Sequence, residues 1–353
     1  MTSYQGVSTV LRDQARFSSQ LGGVFLPSLA PESLATFRQM MLNMDHPAHS
    51  RLRRILQPIF TPRAVGRLHD SVELNAREIV AALDGVQDCD LVTAVSAELP
   101  LRVLADLLGM PREDRHLIFE WSNGLLGLDA GSSTVDAEQS LGAIGELLAY
   151  GQQMADARRA APTNDIVSRI VNAEVDGERL DDVEFGMFWL LLVVAGNETT
   201  RNAISGSVLA LDEHDRWSWL AAHPEHLSTA IEELLRYVSP VMHFRRTATG
   251  DVVLGDQQIR AGDKVVVWYG AANRDPAVFE DPHELDLRRD PNPHLAFGDG
   301  PHFCLGAHLA RLEMSAMLGR LLARWPGLRV VEGVERSPSN FINGVGRLPV
   351  RLG

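Results

Sequence analysis

The stretch Phe297-Gly298-Asp299-Gly300-Pro301-His302-Phe303-Cys304-Leu305-Gly306 decides how this chain is read. A cysteine follows a glycine-rich turn and stands just before a helix-forming run, Ala307 to Trp325. Gly298, Gly300 and Gly306 let the backbone approach a flat ligand closely and permit positive φ. Amides at the start of the following helix can point at the sulfur, and that dipole stabilises a thiolate. A thiolate held this way can ligate a metal or act as a nucleophile. A lone cysteine is more commonly a buried structural residue; here the whole pattern around it argues otherwise.

Outward from this loop the texture is regular. Towards the C-terminus lies the helix from Ala307, and before the loop Asn273 to His294 reads as an ordered irregular segment rich in Asp, Pro and Arg. Phe244 to Thr249, Asp251 to Leu254 and Asp263 to Tyr269 hold β-branched and aromatic residues with glycine punctuation, the pattern of short strands. The first two thirds of the chain read as helices. Arg51 to Phe60, Val72 to Leu83, Ala97 to Leu108 and Ser140 to Ala155 space their apolar residues three and four apart. Asp181-Asp182 opens a long apolar helix to about Leu211, with the acids suited to its N-terminal dipole. The expected fold class is mainly α with small β-sheets near the C-terminal end, an α+β arrangement in a single domain, 1–353.

Composition excludes several classes of function. The chain has 353 residues, 45% hydrophobic and 22% charged, an ordinary globular balance that excludes intrinsic disorder. Its 33 Lys and Arg against 46 Asp and Glu give a net charge of −13, which argues against nucleic acid or an anionic membrane as partner. Two cysteines cannot build a disulfide framework, so a reducing, cytoplasmic setting is expected. The longest strongly apolar run, Met187 to Ala195, is too short to span a bilayer, which takes about 20 residues. There is no HExxH or paired CxxC for zinc, no GxxxxGK[ST], and no GxGxxG after a strand to hold a dinucleotide.

The loop around Cys304 closely resembles the haem-binding loop of cytochromes P450, and three further segments match that family in the expected order: Ala195-Gly196-Asn197-Glu198-Thr199-Thr200, Glu233-Leu234-Leu235-Arg236 and His49-Ser50-Arg51-Leu52-Arg53. The resemblance runs over essentially the whole chain and is dense after Leu190. It implies the cytochrome P450 fold, haem b as cofactor and Cys304 as the thiolate on its iron, with the amides near Gly306 tuning the sulfur and Phe297 packed beside it. It also implies a monooxygenase that puts one atom of O2 into a C–H bond of an apolar small molecule. Electrons would come from a ferredoxin and its NAD(P)H-dependent reductase, since the chain carries no dinucleotide motif of its own. Arg311 is a candidate contact for the ferredoxin.

Each segment also has its own physical reading. A glycine and hydroxyl cluster inside a helix costs about 1 kcal/mol for Gly against Ala, and threonine hydroxyls compete for backbone carbonyls. By the resemblance this bend makes an oxygen pocket, with Thr199 hydrogen-bonding there and Glu198 relaying protons. Glu233 and Arg236 share a helix face and can pair. The family's structural pair locks a further arginine, here Arg289 or its neighbour Arg288, because Pro282-His283-Glu284-Leu285 lacks the usual arginine of that element. His49 and Arg53 lie four apart on one helix face and suit a carboxylate, which the resemblance makes a haem propionate. His302 and Arg246 take the other propionate positions, with Arg245 adjacent as an alternative.

The start departs from the family. Only 48 residues precede His49, and Tyr4 to Ser18 resembles a helix that ordinarily follows two strands and an earlier helix. A late start and a natural truncation both account for this, and either leaves an open edge beside Val252 and Val265. The segments after Gly196, after Ser239 and after Ser339 look like actinobacterial enzymes acting on sterol side chains and methyl-branched lipids, with terpenes or secondary metabolites second. Val194, Val241 and Met242 are candidate pocket residues. Two other functions stay open: a haem-binding protein without oxygenase activity, such as a sensor or a truncated inactive enzyme, and a thiol-dependent transferase using Cys304.

Overall fold

The long helix Asp182–Glu213 organises the molecule. Asp181 caps it through a reciprocal capping box, its carboxylate accepting from the Glu184 amide while the Glu184 side chain accepts from the Asp181 amide. The helical assignment runs without interruption through Gly196 and Thr199, where the sequence suggests a bend, and ends two residues beyond Leu211. This computed structural model describes residues 1–28, 30–126, 134–174 and 177–353.

Helices surround this axis. Glu98–Leu108, Thr134–Ala160, Leu227–Val238 and Ala307–Arg324 all pack on it, so its apolar residues are buried nearly all round. The largest apolar cluster draws on residues from Val72 to Leu352, joining the early helices to the C-terminal strands. A second, from Met41 to Val193, fills the space on the other side. Gly206 marks one close approach, since a Cβ there would stand 2.6 Å from a Val238 methyl.

The helices expected near residues 51, 72, 97, 140 and 307 all form, with shifted ends. Thr61 caps a short turn, Pro62–Val65, and so separates it from the helix Ala48–Leu56. The expected strands appear as His243–Ala248, Val252–Leu254 and Lys264–Trp268. The first pairs antiparallel with the third and, on its other side, with Phe17–Ser18. Val252–Leu254 forms a hairpin with Gln257–Ile259. The edge strand Lys264–Trp268 takes Met1 along its outer side: the Met1 amino group donates to Val266 O (2.5 Å) and Trp268 N–H donates to Met1 O (3.0 Å). A third sheet joins Asp88–Asp90, Pro349–Arg351 and Arg329–Val330.

Candidate haem and oxygen site

A cavity opens between the long helix, the helix Ala48–Leu56, the strand His243–Ala248 and the loop before Ala307. It brings Cys304, Phe297, Gly306, Thr199, His49, Arg53, Arg246 and His302 to one space, although their sequence positions span most of the chain. Glu198, Arg311, Val194 and Met242 are not on its wall. Val194 faces outward, 39% exposed, and Met242 lines a separate shallow depression beside Trp268.

The cysteine loop is shaped by its backbone. Gly298 and Gly300 have φ of +74° and +66°, which side chains other than glycine rarely adopt. Gly300 is doubly required, because a Cβ would meet Leu11 O at 2.7 Å in the helix Tyr4–Arg12. Cys304 N–H donates to Phe297 O (2.9 Å), closing the loop. Gly306 departs from the expectation of positive φ: it sits at −81°, and an added Cβ would stand 3.9 Å from the Cys304 sulfur. That is ordinary van der Waals contact, so neither φ nor space requires glycine at this position. Cys304 is exposed towards the cavity while enclosed by protein on the larger scale. Burial pushes its thiol upward, against the Gly306 amide hydrogen bond and the charges of Arg53 and Arg311, which pull it down.

Four basic side chains face this space, and none makes an ion pair among the described residues, although Asp299 and Glu313 also line it. His49 is 1% exposed, and neither ring nitrogen has a hydrogen-bond partner. Burial, with Arg53 and Arg246 adding repulsion against the attraction of Asp45, lowers it to about 4. Arg246 is equally buried, and its guanidinium reaches only its neighbour's backbone, Arg245 O at 3.0 Å. Arg245 lies off the cavity, against Pro27 O (3.3 Å), so Arg246 is the arginine that faces in. Arg53 donates to Phe303 O (2.7 Å), and His302 meets Ser19 Oγ at 3.3 Å. The His49 and His302 rings stand 4.0 Å apart. Among the described residues none of the four has a carboxylate within ion-pair reach. Burial holds the two histidines towards the neutral form, but the arginine charges without anions are costly, so this arrangement suits a ligand that brings its own negative charge. A flat group with two carboxylates and a metal facing Cys304 satisfies all of it, and haem has that chemistry.

Comparison with known proteins agrees. A cytochrome P450 family model matches residues 222–349. The steroid C26-monooxygenase of Mycobacterium tuberculosis is 41% identical, over 99% of this chain and 83% of that protein. The chain belongs to the cytochrome P450 family. The methyl-branched lipid omega-hydroxylase of M. tuberculosis is 40% identical over the same shares of each chain. Among solved structures, a Mycobacterium marinum cytochrome P450 in complex with pseudoionone superposes with a TM-score of 0.92 at 39% identity, covering 99% of this chain and 86% of that one. A Bacillus megaterium cytochrome P450 in complex with testosterone gives 0.89 at 34%, covering 100% and 92%. The cofactor of this cytochrome P450 is haem b.

On the opposite wall Thr199 Oγ1 donates to Ala195 O (2.9 Å), the back-bond expected of a threonine inside a helix. Glu198 turns elsewhere. Arg201 donates to its carboxylate (2.7 Å), and Asn202 bonds both its backbone oxygen (2.9 Å) and its side chain (3.3 Å). The sequence gives no hint of this, because adjacent helix residues point about 100° apart and either could face the ligand.

The pair Glu233 and Arg236 is entirely buried, away from the cavity. All five Arg236 N–H groups have acceptors: two go to Glu233 (2.7 Å each), the others to Asn273 O, Pro282 O and Glu284 O. Arg289 Nε donates to Glu233 (3.0 Å), while Arg288 is exposed near Asp286. Arg311 is also committed. It makes a bidentate pair with Glu232 (2.6 Å each) and lies 4.5 Å above the Phe297 ring, so it is not a free surface cation.

Among the polar wall residues that sequence reasoning gave no role is the buried acid Glu313. It lies four residues after Leu309 and four before Met317, on the buried face of its helix. An acid at a core-facing position of an otherwise apolar stripe was the available signal.

Proposed function

We propose that this cytochrome P450 monooxygenase hydroxylates the end of a branched hydrocarbon chain, on a sterol side chain or a methyl-branched lipid. The observation that carries the reading is the cavity that joins Cys304 and four basic side chains without ion pairs to Thr199 and an apolar wall. That wall includes Leu104, Leu107, Phe188, Leu191, Val241 and Phe244. It offers dispersion contacts to an aliphatic chain and no charged anchor, so position is set by shape. The two curated relatives are named for oxidation at C26 and at an omega position.

Haem supplies the oxygen activation when bound. The chain supplies the rest. Cys304 would ligate the iron as a thiolate, and the Gly306 amide hydrogen bond would favour that charge against the burial that opposes it. His49, Arg53, Arg246 and His302 would take the two propionates as charge-assisted partners. Thr199 presents a hydroxyl that can trade Ala195 O for an acceptor in the cavity. Glu233, Arg236 and Arg289 brace the irregular segment that leads into the cysteine loop. The whole chain works as one catalytic unit in the cytoplasm. Its electrons come from a ferredoxin and an NAD(P)H-dependent reductase, docked on the face behind Cys304.

Spectral titration of the haem-loaded protein tests the substrate class. Sterols with an intact side chain and methyl-branched fatty acids should displace water from iron and shift the Soret band to the high-spin position. A shift with compact terpenoids alone would contradict the reading.

A further inference from the structure

The depression beside Trp268 lies outside the haem cavity, and one layer of chain divides the two. It holds about 410 Å³, a size that suits a small organic molecule. Pro240, Val241 and Phe244 line the haem cavity, whereas Val238, Ser239 and Met242 line the depression. The dividing segment leaves the helix Leu227–Val238 at Ser239, whose φ of +44° is uncommon for any residue but glycine. Two hydrogen bonds hold that turn: Ser239 Oγ donates to Arg236 O (2.9 Å) and accepts from Asn273 Nδ2 (2.8 Å). Beyond it, Met242 N–H donates to Phe341 O (2.9 Å) and Asn343 N–H to Pro240 O (2.8 Å).

We propose that this depression is an effector site for an organic carboxylate with a compact apolar body, and that its occupancy is felt in the haem cavity through the segment from Val238 to His243. Arg274 supplies the charge. Its Nη1 donates to Gly270 O (3.3 Å) and its Nη2 to Tyr237 O (2.8 Å), and among the described residues it makes no ion pair. Burial disfavours that charge, and an anion from outside would offset the cost. Trp268 supplies the apolar platform: it is 38% exposed, with its ring edge-on to His243 at 4.7 Å. Met242 and Val238 continue the apolar surface beside it. A carboxylate gives Arg274 the anion it lacks, and the attached body covers Trp268. With the depression filled, Met242 cannot yield when a wide ligand presses on Val241 from the other side. The two ligands therefore oppose each other, and each weakens the other by the same factor.

Binding at the depression stands apart from the haem reading, whereas its effect on the cavity rests on it, and the test separates the two. The probe is 4-phenylbutyrate, with uncharged 4-phenylbutan-1-ol as its control. In the full-length haem-loaded protein the acid should shift the Trp268 indole N–H resonance, assigned by its loss in Trp268→Phe, in a saturable way. The alcohol should bind at least tenfold more weakly. The acid alone should leave the Soret band in place, yet raise the half-saturating concentration of a sterol in spectral titration at least threefold. Arg274→Met should abolish the resonance shift and the effect on sterol binding while keeping the red-shifted carbon monoxide band. Should Arg274→Met not fold, Met242→Phe, which fills the depression and leaves the charge, must block the acid. No saturable shift at Trp268, equal binding of acid and alcohol, or an unchanged sterol titration with the site filled overturns the proposal. Absence of the red-shifted carbon monoxide band in the unaltered protein would instead overturn the haem reading, and the Trp268 titration would still decide whether the depression binds the carboxylate.

Discussion

Two buried charge clusters lie within this molecule, and they are built in opposite ways. Around Glu233 the charges are matched: Arg236 uses all five N–H groups, and Glu233 also accepts from Arg289, Asn292 and the Asp286 amide. Around His49 the four basic side chains of the cavity, two arginines and two histidines that burial holds towards the neutral form, make no ion pair among the described residues. The first cluster is complete within the chain and holds the segment from 273 to 294 in place. The second is complete only with an anionic ligand. Charge matching thus separates support from site more clearly than residue type does, since both clusters contain buried arginine.

Removing a partner from the matched cluster gives the largest expected effect. Arg236→Met leaves Glu233 buried with fewer donors and should cost about 3–5 kcal/mol, as for other broken buried pairs. Denaturant unfolding should show a collapse of the midpoint, and a midpoint near the original would mean the cluster is not a support. Thr199→Ala should fold and bind haem normally while releasing peroxide in place of product. A sensor would show no such change, which an NAD(P)H-to-product ratio measures directly.

The unmatched cluster should respond in the opposite sense. Arg246→Leu removes a cation without a partner, so the haem-free protein should unfold at the same or a higher temperature. Haem affinity should fall about tenfold or more, the worth of one charge-assisted hydrogen bond. Competition with apomyoglobin reads that affinity, and a destabilised haem-free protein would blur the contrast between clusters.

The smallest effect concerns pH. In the haem-free fold His49 is lowered from 6.5 to about 4, so it stays neutral where the unfolded chain already binds a proton. Its contribution to stability is full above 6.5 and is lost as pH falls from there towards 4. Propionates beside the ring would favour its charged form and cancel that loss. Acid unfolding should therefore begin at higher pH without haem than with it, and a His49→Gln variant should narrow the difference.

What the sequence made legible follows from the same physics. The cysteine loop could be read because its glycines answer to backbone geometry: positive φ at Gly298 and Gly300 and a close helix at Leu11. The start of the long helix was legible in the acids Asp181 and Asp182, although the reciprocal cap between Asp181 and Glu184 was not. The sheet joining Asp88–Asp90 to Pro349–Arg351 was not, because three residues are too few for an alternating pattern and its strands are far apart in the chain. The choice between Arg245 and Arg246, and between Arg288 and Arg289, needed strand and loop orientation that adjacent identical residues cannot reveal. Glu198 and Glu313 show the limit most clearly. A carboxylate beside a threonine in sequence is tied to Arg201 in space, while one over a hundred residues away lines the threonine's cavity.

The most direct test of the central claim is the absorption spectrum of the reduced protein under carbon monoxide. A strongly red-shifted Soret band is the predicted result, marking thiolate ligation by Cys304 in a cavity whose cations are matched by haem. A band at the unshifted position, or no haem in protein from haem-supplied cells, would contradict it.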